Sequence, residues 1–190
     1  QVDIALAHGM HRAGELEPAY EGAMAALEVM HNLDNPRGEA ASERLAAMAA
    51  LDIGNLSAAR VHARSAFTIF DTRLADTWGR VEGLLLMAQV ALAENDLLDA
   101  HIHLGAAQAL AIEESEPVQH RYLTAAWLEL LSGHIEAALH AIENARDAFP
   151  DRRRTGDHAP HLIARLLTLT PGTAADAPLR AWKSSLDEGS

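Results

Sequence analysis

The sequence predicts an all-α protein built from antiparallel helical hairpins, and three observations support this fold class. Alanine and leucine are the most frequent residues, whereas aromatic residues make up only 4% of the chain. Alternating runs of valine, isoleucine and threonine, which are typical of strands, are absent from the sequence. Glycine and proline recur at intervals, which suits apolar helices separated by short turns.

An internal repeat points to the same fold class. Four turn residues, Gly14, Gly54, Asn95 and Gly133, follow one another at distances of 40, 41 and 38 residues. Apolar and small residues recur two, five and twelve positions after each turn residue: Leu16, Leu56, Leu97 and Ile135; then Ala19, Ala59, Ala100 and Ala138; then Ala26, Ala66, Ala107 and Ala145. The chain therefore repeats one structural unit.

Each position of the repeat has a physical role in a hairpin of helix A, tight turn and helix B. Glycine or asparagine suits the left-handed backbone that ends a helix, and a polar residue after it helps to start the next one. The leucine or isoleucine fills the corner between the two helices. The alanines allow the helix axes to approach closely. Helix A is predicted before each turn, where apolar residues such as Leu45 and Met48 have helical spacing.

The units define the predicted domain organisation. We expect a single helical-repeat domain over residues 1–190, with repeats at about 2–36, 37–76, 77–116 and 117–150 and a degenerate capping hairpin at 157–187. In the cap, Leu179, Trp182 and Leu186 are expected to cover the end of the stack, because end repeats need an atypical outer face. The chain begins with Gln1 rather than methionine, so we expect a larger parent protein.

The repeat resembles the tetratricopeptide repeat (TPR), most clearly in the fourth unit. There Ala126, Gly133, Ala138, Ala145 and Pro150 match the small, turn and closing residues of that family. The resemblance implies a right-handed α-solenoid whose A helices line a concave face. The units are longer than the family's usual length of about 34 residues. In this respect they are similar to helical domains of bacterial signalling and transcription regulators.

Composition excludes several classes of function. The net charge of −12 argues against direct nucleic-acid binding, which needs a basic surface. The absence of cysteine excludes thiol catalysis, thiolate metal sites and disulfides. No apolar run has membrane-spanning length and no signal peptide opens the chain, so a cytoplasmic location without membrane contact is expected.

The histidines are the residues most suggestive of chemistry. His8 and His11 form one HxxH pair and His158 and His161 another, but zinc needs three or four ligands and no third ligand is fixed by spacing. In the stretch HIEAALH, His134 and His140 are six residues apart, unlike the pair of a zinc protease. No phosphate-binding loop or nucleophile motif occurs either. We therefore expect no enzyme, no metal and no cofactor.

The TPR resemblance implies a partner-binding groove on the A helices. Its predicted residues are His8, His11, Arg12, Arg44, Met48, Leu51, Leu85, Gln89, Leu92, Leu123 and Trp127. This largely apolar lining favours capture of a protein or peptide segment, with Arg12 and Arg44 orienting an acidic group. The predicted function is a non-catalytic interaction module, within a bacterial transcription or signalling regulator. A small-molecule or peptide-pheromone sensor and a self-association scaffold that forms homo-oligomers are the alternatives.

Overall fold

The computed structural model describes residues 4–110, 116–148 and 159–187, and these ranges contain helices and no strand, which confirms the all-α class. The helices are α1 (Ile4–Arg12), α2 (Leu16–Asn32), α3 (Pro36–Ile53), α4 (Leu56–Ile69), α5 (Thr77–Ala93), α6 (Leu97–Ala109), α7 (Glu116–Leu131), α8 (Ile135–Asp147), α9 (Ala159–Leu169) and α10 (Asp176–Asp187). A π-helical turn at Phe70–Leu74 continues α4. Within the described residues, no helix is both long and apolar enough to cross a membrane.

The helices form two compact units, which meet along the chain between Glu94 and Asn95. In the first unit each of α1–α4 packs on the next helix in the chain, and α3 also contacts α1 and α5. In the second unit α7 packs on α6, α8 and α9, and α9 packs on α10. The expectation of one domain over the whole chain stays a prediction.

The four turn residues of the repeat adopt the predicted left-handed backbone. Their φ angles are 80° at Gly14, 90° at Gly54, 61° at Asn95 and 80° at Gly133. The second turn shows how one helix ends and the next begins. The amide of Asn55 donates to the carbonyl of Ala50 at 2.8 Å, and the Asn55 side chain accepts from the amide of Ala58 at 3.2 Å. Adjacent residues thus end α3 and cap α4.

The alanine positions of the repeat are buried, as the close helix packing requires. All eight have at most 1% of their surface exposed: Ala19, Ala26, Ala59, Ala66, Ala100, Ala107, Ala138 and Ala145. Ala59, for example, packs against Ala50, Leu51 and Val90. A larger side chain at such a position would push the helices apart.

Two glycines provide a still closer contact of α5 with α4 and with the π-helical turn that continues it. A Cβ atom added to Gly83 would lie 2.8 Å from the Cβ of Phe67, and one added to Gly79 would lie 2.1 Å from Cδ1 of Phe70. Both distances are well inside the van der Waals contact of about 3.5–4 Å. The first turns of α5 therefore tolerate only glycine against these phenylalanines.

Part of the predicted fourth unit and cap lies outside the described residues. This holds for Pro150 and His158, and for the side chain of Leu186. In the cap, Leu179 and Trp182 are buried, with 0% and 9% of their surface exposed. Their predicted role in covering the end of a stack stays a prediction.

Candidate functional site

Most residues of the predicted A-helix groove are buried. Eight of the eleven have at most 4% of their surface exposed: His11, Met48, Leu51, Leu85, Gln89, Leu92, Leu123 and Trp127. Leu123 and Trp127 lie in the second unit, and the other nine predicted residues lie in the first. A partner would reach such side chains only if the surrounding helices moved apart. Their role in binding stays a prediction.

Arg44 and His11, two residues of the predicted groove, already have acidic partners within the first unit. Arg44 Nη1 lies 3.8 Å from a carboxylate oxygen of Glu82, which has 0% of its surface exposed. The Arg44 guanidinium also lies over the Trp78 ring, 5.8 Å from its centroid. His11 Nε2 lies 3.0 Å from Asp52 Oδ2. The acidic group that we expected Arg44 to find on a partner is thus supplied by the protein itself.

The first unit has an open cavity on its B-helix side, between α2, α3 and α4, which we call the B-helix groove. It has a volume of about 720 Å³, within the range of about 300–1,000 Å³ that is usual for ligand sites. Its lining consists of Met24, Ala25, Leu27, Glu28 and His31 from α2, Glu39 and Glu43 from α3, and Ser65 and Ile69 from α4. None of the predicted groove residues belongs to this lining.

A hydrogen-bonded chain of side chains fixes Glu43 in the groove. His62 Nδ1 lies 2.6 Å from Glu43 Oε2, and the Ser65 hydroxyl donates to Glu43 Oε1 at 2.8 Å. The other imidazole nitrogen, Nε2, lies 3.1 Å from the Tyr20 hydroxyl. When Nδ1–H donates to the carboxylate, Nε2 accepts from the tyrosine, so both nitrogens are engaged. This chain joins α2, α3 and α4 and orients the Glu43 carboxylate.

The buried carboxylate of the groove, Glu39, is neutralised by an arginine from the π-helical turn. One terminal nitrogen of Arg73 binds Glu39 Oε2, and the other binds Asp34 Oδ1 at 3.1 Å. His31 Nδ1 lies 3.4 Å from the other Glu39 oxygen. The side chain of Glu39 has only 6% of its surface exposed, so its charge needs such partners. The π-helical turn, a feature frequent at functional sites, thus places a cation beside the groove.

We expect Arg73→Gln to lower the free energy of unfolding by about 1–2 kcal/mol. Glutamine can still donate one hydrogen bond, but the charge of the buried Glu39 is then uncompensated. Arg37→Gln is the matched control, because Arg37 is 73% exposed and pairs with Asp76 at 3.4 Å. Such surface pairs contribute about 0–1 kcal/mol. Unfolding in guanidinium measures the stability of both variants. Equal losses in the two would contradict the role of Arg73 in compensating Glu39.

The groove carries an excess of negative charge. Three of its lining residues are glutamates, whereas its lining includes no lysine or arginine. Arg73 compensates Glu39 from outside the lining, and His62 and Ser65 satisfy Glu43. Glu28 is exposed and, within the part of the chain that the structure describes, has no ion-pair partner. Apolar side chains, among them Met24 and Leu27, complete the surface.

The sequence offers only a weak signal for the partners of Glu43. The signal is weak because Glu43 and His62 are 19 residues apart, and Tyr20 and His62 are 42 residues apart. Only the packing of α2 and α4 on α3 brings these side chains together. The helices and the groove define an all-helical protein with an acidic, partly apolar cleft in its first unit.

The comparisons with known proteins add no relative. No family model, no curated protein and no solved structure matches the chain.

Proposed function

We propose that the chain is a non-catalytic module that binds a protein or peptide segment. In this proposal its hairpins are TPR-like repeats of a right-handed α-solenoid, within a cytoplasmic bacterial transcription or signalling regulator. The left-handed turns at Gly14, Gly54, Asn95 and Gly133 and the buried alanine positions support the repeat. The TPR resemblance supports the interaction role.

The observation that carries the proposal is the B-helix groove. Apolar side chains such as Met24, Leu27 and Ile69 can bury part of a ligand, while carboxylates can orient its polar groups. Along α2 the lining runs from Met24 to His31, which at about 1.5 Å per residue is about 10 Å. That length matches about three residues of an extended peptide. The groove opens to solvent, so a chain can enter it sideways without local unfolding.

The lining chemistry also favours binding over catalysis. The histidine closest to an acid–base arrangement is His62, and both of its ring nitrogens already have partners, Glu43 and Tyr20. A general base needs a nitrogen within reach of a substrate proton. In this arrangement His62 holds Glu43 in position and leaves no nitrogen for proton transfer.

Selection from a displayed library of random peptides tests the proposal. We expect enriched peptides to bind the full chain and the Val61→Trp variant equally, but to bind Ala25→Trp at least about tenfold more weakly. Ala25 is an exposed lining residue, so tryptophan there fills the groove without loss of core packing. Val61 is 65% exposed on α4 and lies outside the lining, which makes it a matched control. Failure to enrich any peptide, or enriched peptides that bind Ala25→Trp normally, would contradict the proposal.

A further inference from the structure

The three carboxylates of the B-helix groove differ in how far their charge is already satisfied. Each oxygen of Glu43 has a partner, namely Ser65 Oγ at 2.8 Å and His62 Nδ1 at 2.6 Å. Each oxygen of Glu39 likewise has one, in His31 and Arg73. Glu28 is exposed at the groove and pairs with no cation of the described residues. It is therefore the lining carboxylate that is open to a ligand.

The surroundings of Glu28 favour a cation carried on an aliphatic stem. Met24 precedes Glu28 by four residues on α2, so the two side chains are neighbours on one helix face. An arginine or lysine side chain can lie with its methylene groups along Met24 and Leu27 and its charged end at Glu28. Glu43 adds its negative charge to the same groove, and the whole chain has a charge of −12.

A metal ion fits this groove less well than an organic cation does. Calcium takes about six to eight oxygen ligands, and magnesium also needs a full oxygen shell. The oxygens of Glu39 and Glu43 are engaged by protein groups, which leaves Glu28 as a lone carboxylate. An ammonium or guanidinium group needs only one such acceptor and brings several donors of its own. A bare ion would also make no favourable contact with the apolar side chains of Met24 and Leu27 beside Glu28.

We propose that the B-helix groove selects a partner peptide segment that bears an arginine or lysine, and that Glu28 binds the charged end of this side chain. The proposal rests on the proposed peptide-binding function and adds the chemistry that the groove recognises. Acidic segments are disfavoured by the same field. Within the protein, the guanidinium of Arg73 already binds Glu39 in the way that we propose for a ligand cation at Glu28.

The experiment uses peptides enriched from the displayed random library on the full chain. We expect each groove-bound peptide to contain an arginine or lysine whose replacement by citrulline or acetyl-lysine weakens binding about tenfold. Glu28→Gln should weaken binding of the charged peptide by about the same factor and leave binding of the neutral form unchanged. Glu21→Gln is the control, because it removes the same charge from the same helix. Glu21 is exposed and lies outside the lining.

The outcomes separate this inference from the proposed function. The cation site is supported if Glu28→Gln and the neutral peptide each weaken binding and if the two changes together weaken it no further. Peptides that lose affinity on Ala25→Trp but bind Glu28→Gln as tightly as the unchanged protein would overturn the cation site and leave the peptide function standing. Equal losses in Glu28→Gln and Glu21→Gln would also overturn it, because the effect would then be one of overall charge. If no peptide is enriched, both proposals fail.

Discussion

Replacing Trp127 by alanine is expected to lower the free energy of unfolding by about 3–5 kcal/mol, the usual range for loss of a large buried aromatic side chain. Trp127 has 4% of its surface exposed on α7, and the guanidinium of Arg165 on α9 lies 4.9 Å from its ring centroid. Alanine leaves a cavity and removes the cation–π contact. Guanidinium unfolding of the full chain, followed by circular dichroism, measures the loss without relying on the deleted fluorophore.

Two further variants make the Trp127 result interpretable. Trp127→Phe keeps an aromatic ring for Arg165 and should lose clearly less stability than the alanine variant. Leu98→Ala removes an apolar side chain that is 73% exposed, so its effect should stay within about 0.5 kcal/mol. A Trp127→Ala variant as stable as Leu98→Ala would mean that the tryptophan is available at the surface, as the A-helix groove requires.

The Gly79→Ala variant is expected to be less stable than the unchanged protein by about 1–3 kcal/mol, the usual cost of overpacking. The new Cβ would lie 2.1 Å from Cδ1 of Phe70, whose ring is 5% exposed and has little room to move. This steric cost exceeds the gain of about 0.5–1 kcal/mol that alanine normally brings to a helix interior. Denaturant unfolding of the full chain measures the net effect.

Gly105→Ala is the matched control, because Gly105 also lies within a helix but a Cβ there has no neighbour within 4 Å. The same substitution should therefore raise stability at that position by about 0.5–1 kcal/mol. Combining Gly79→Ala with Phe70→Leu should recover part of the lost stability, since the smaller side chain relieves the clash. A Gly79→Ala variant that is more stable than the unchanged protein would show that the π-helical turn and α5 do not approach as closely as described.

Local sequence signals predicted the hairpins well. A tight reversal between two helices needs a left-handed residue, which Gly14, Gly54 and Gly133 supply at no steric cost. Asn95 is the less obvious member, since its φ of 61° lies in a region that asparagine tolerates better than most residues. Because these requirements are met within a few residues, spacing along the chain was enough to locate them.

A binding site is harder to predict from the sequence than a hairpin, because it depends on which helix face is left uncovered. A sequence pattern shows that Met48, Leu85 and Trp127 are apolar, but an apolar side chain fits a binding groove and a core equally well. The structure buries all three. The B-helix groove was missed for the complementary reason: Glu39 and Arg73 are 34 residues apart, and no local rule pairs them.

The sequence by itself determined the helical class, the position of the turns and the alanine contacts, because each of these depends on the conformation or size of individual residues. Tertiary packing alone decided which carboxylates of the B-helix groove have partners within the protein and which one is open to a ligand. The approach of α2, α3, α4 and the π-helical turn gives Glu39 and Glu43 their partners and leaves Glu28 exposed at the groove. Burial and charge compensation depend on distances in space, and residues that meet in space can lie anywhere along the chain.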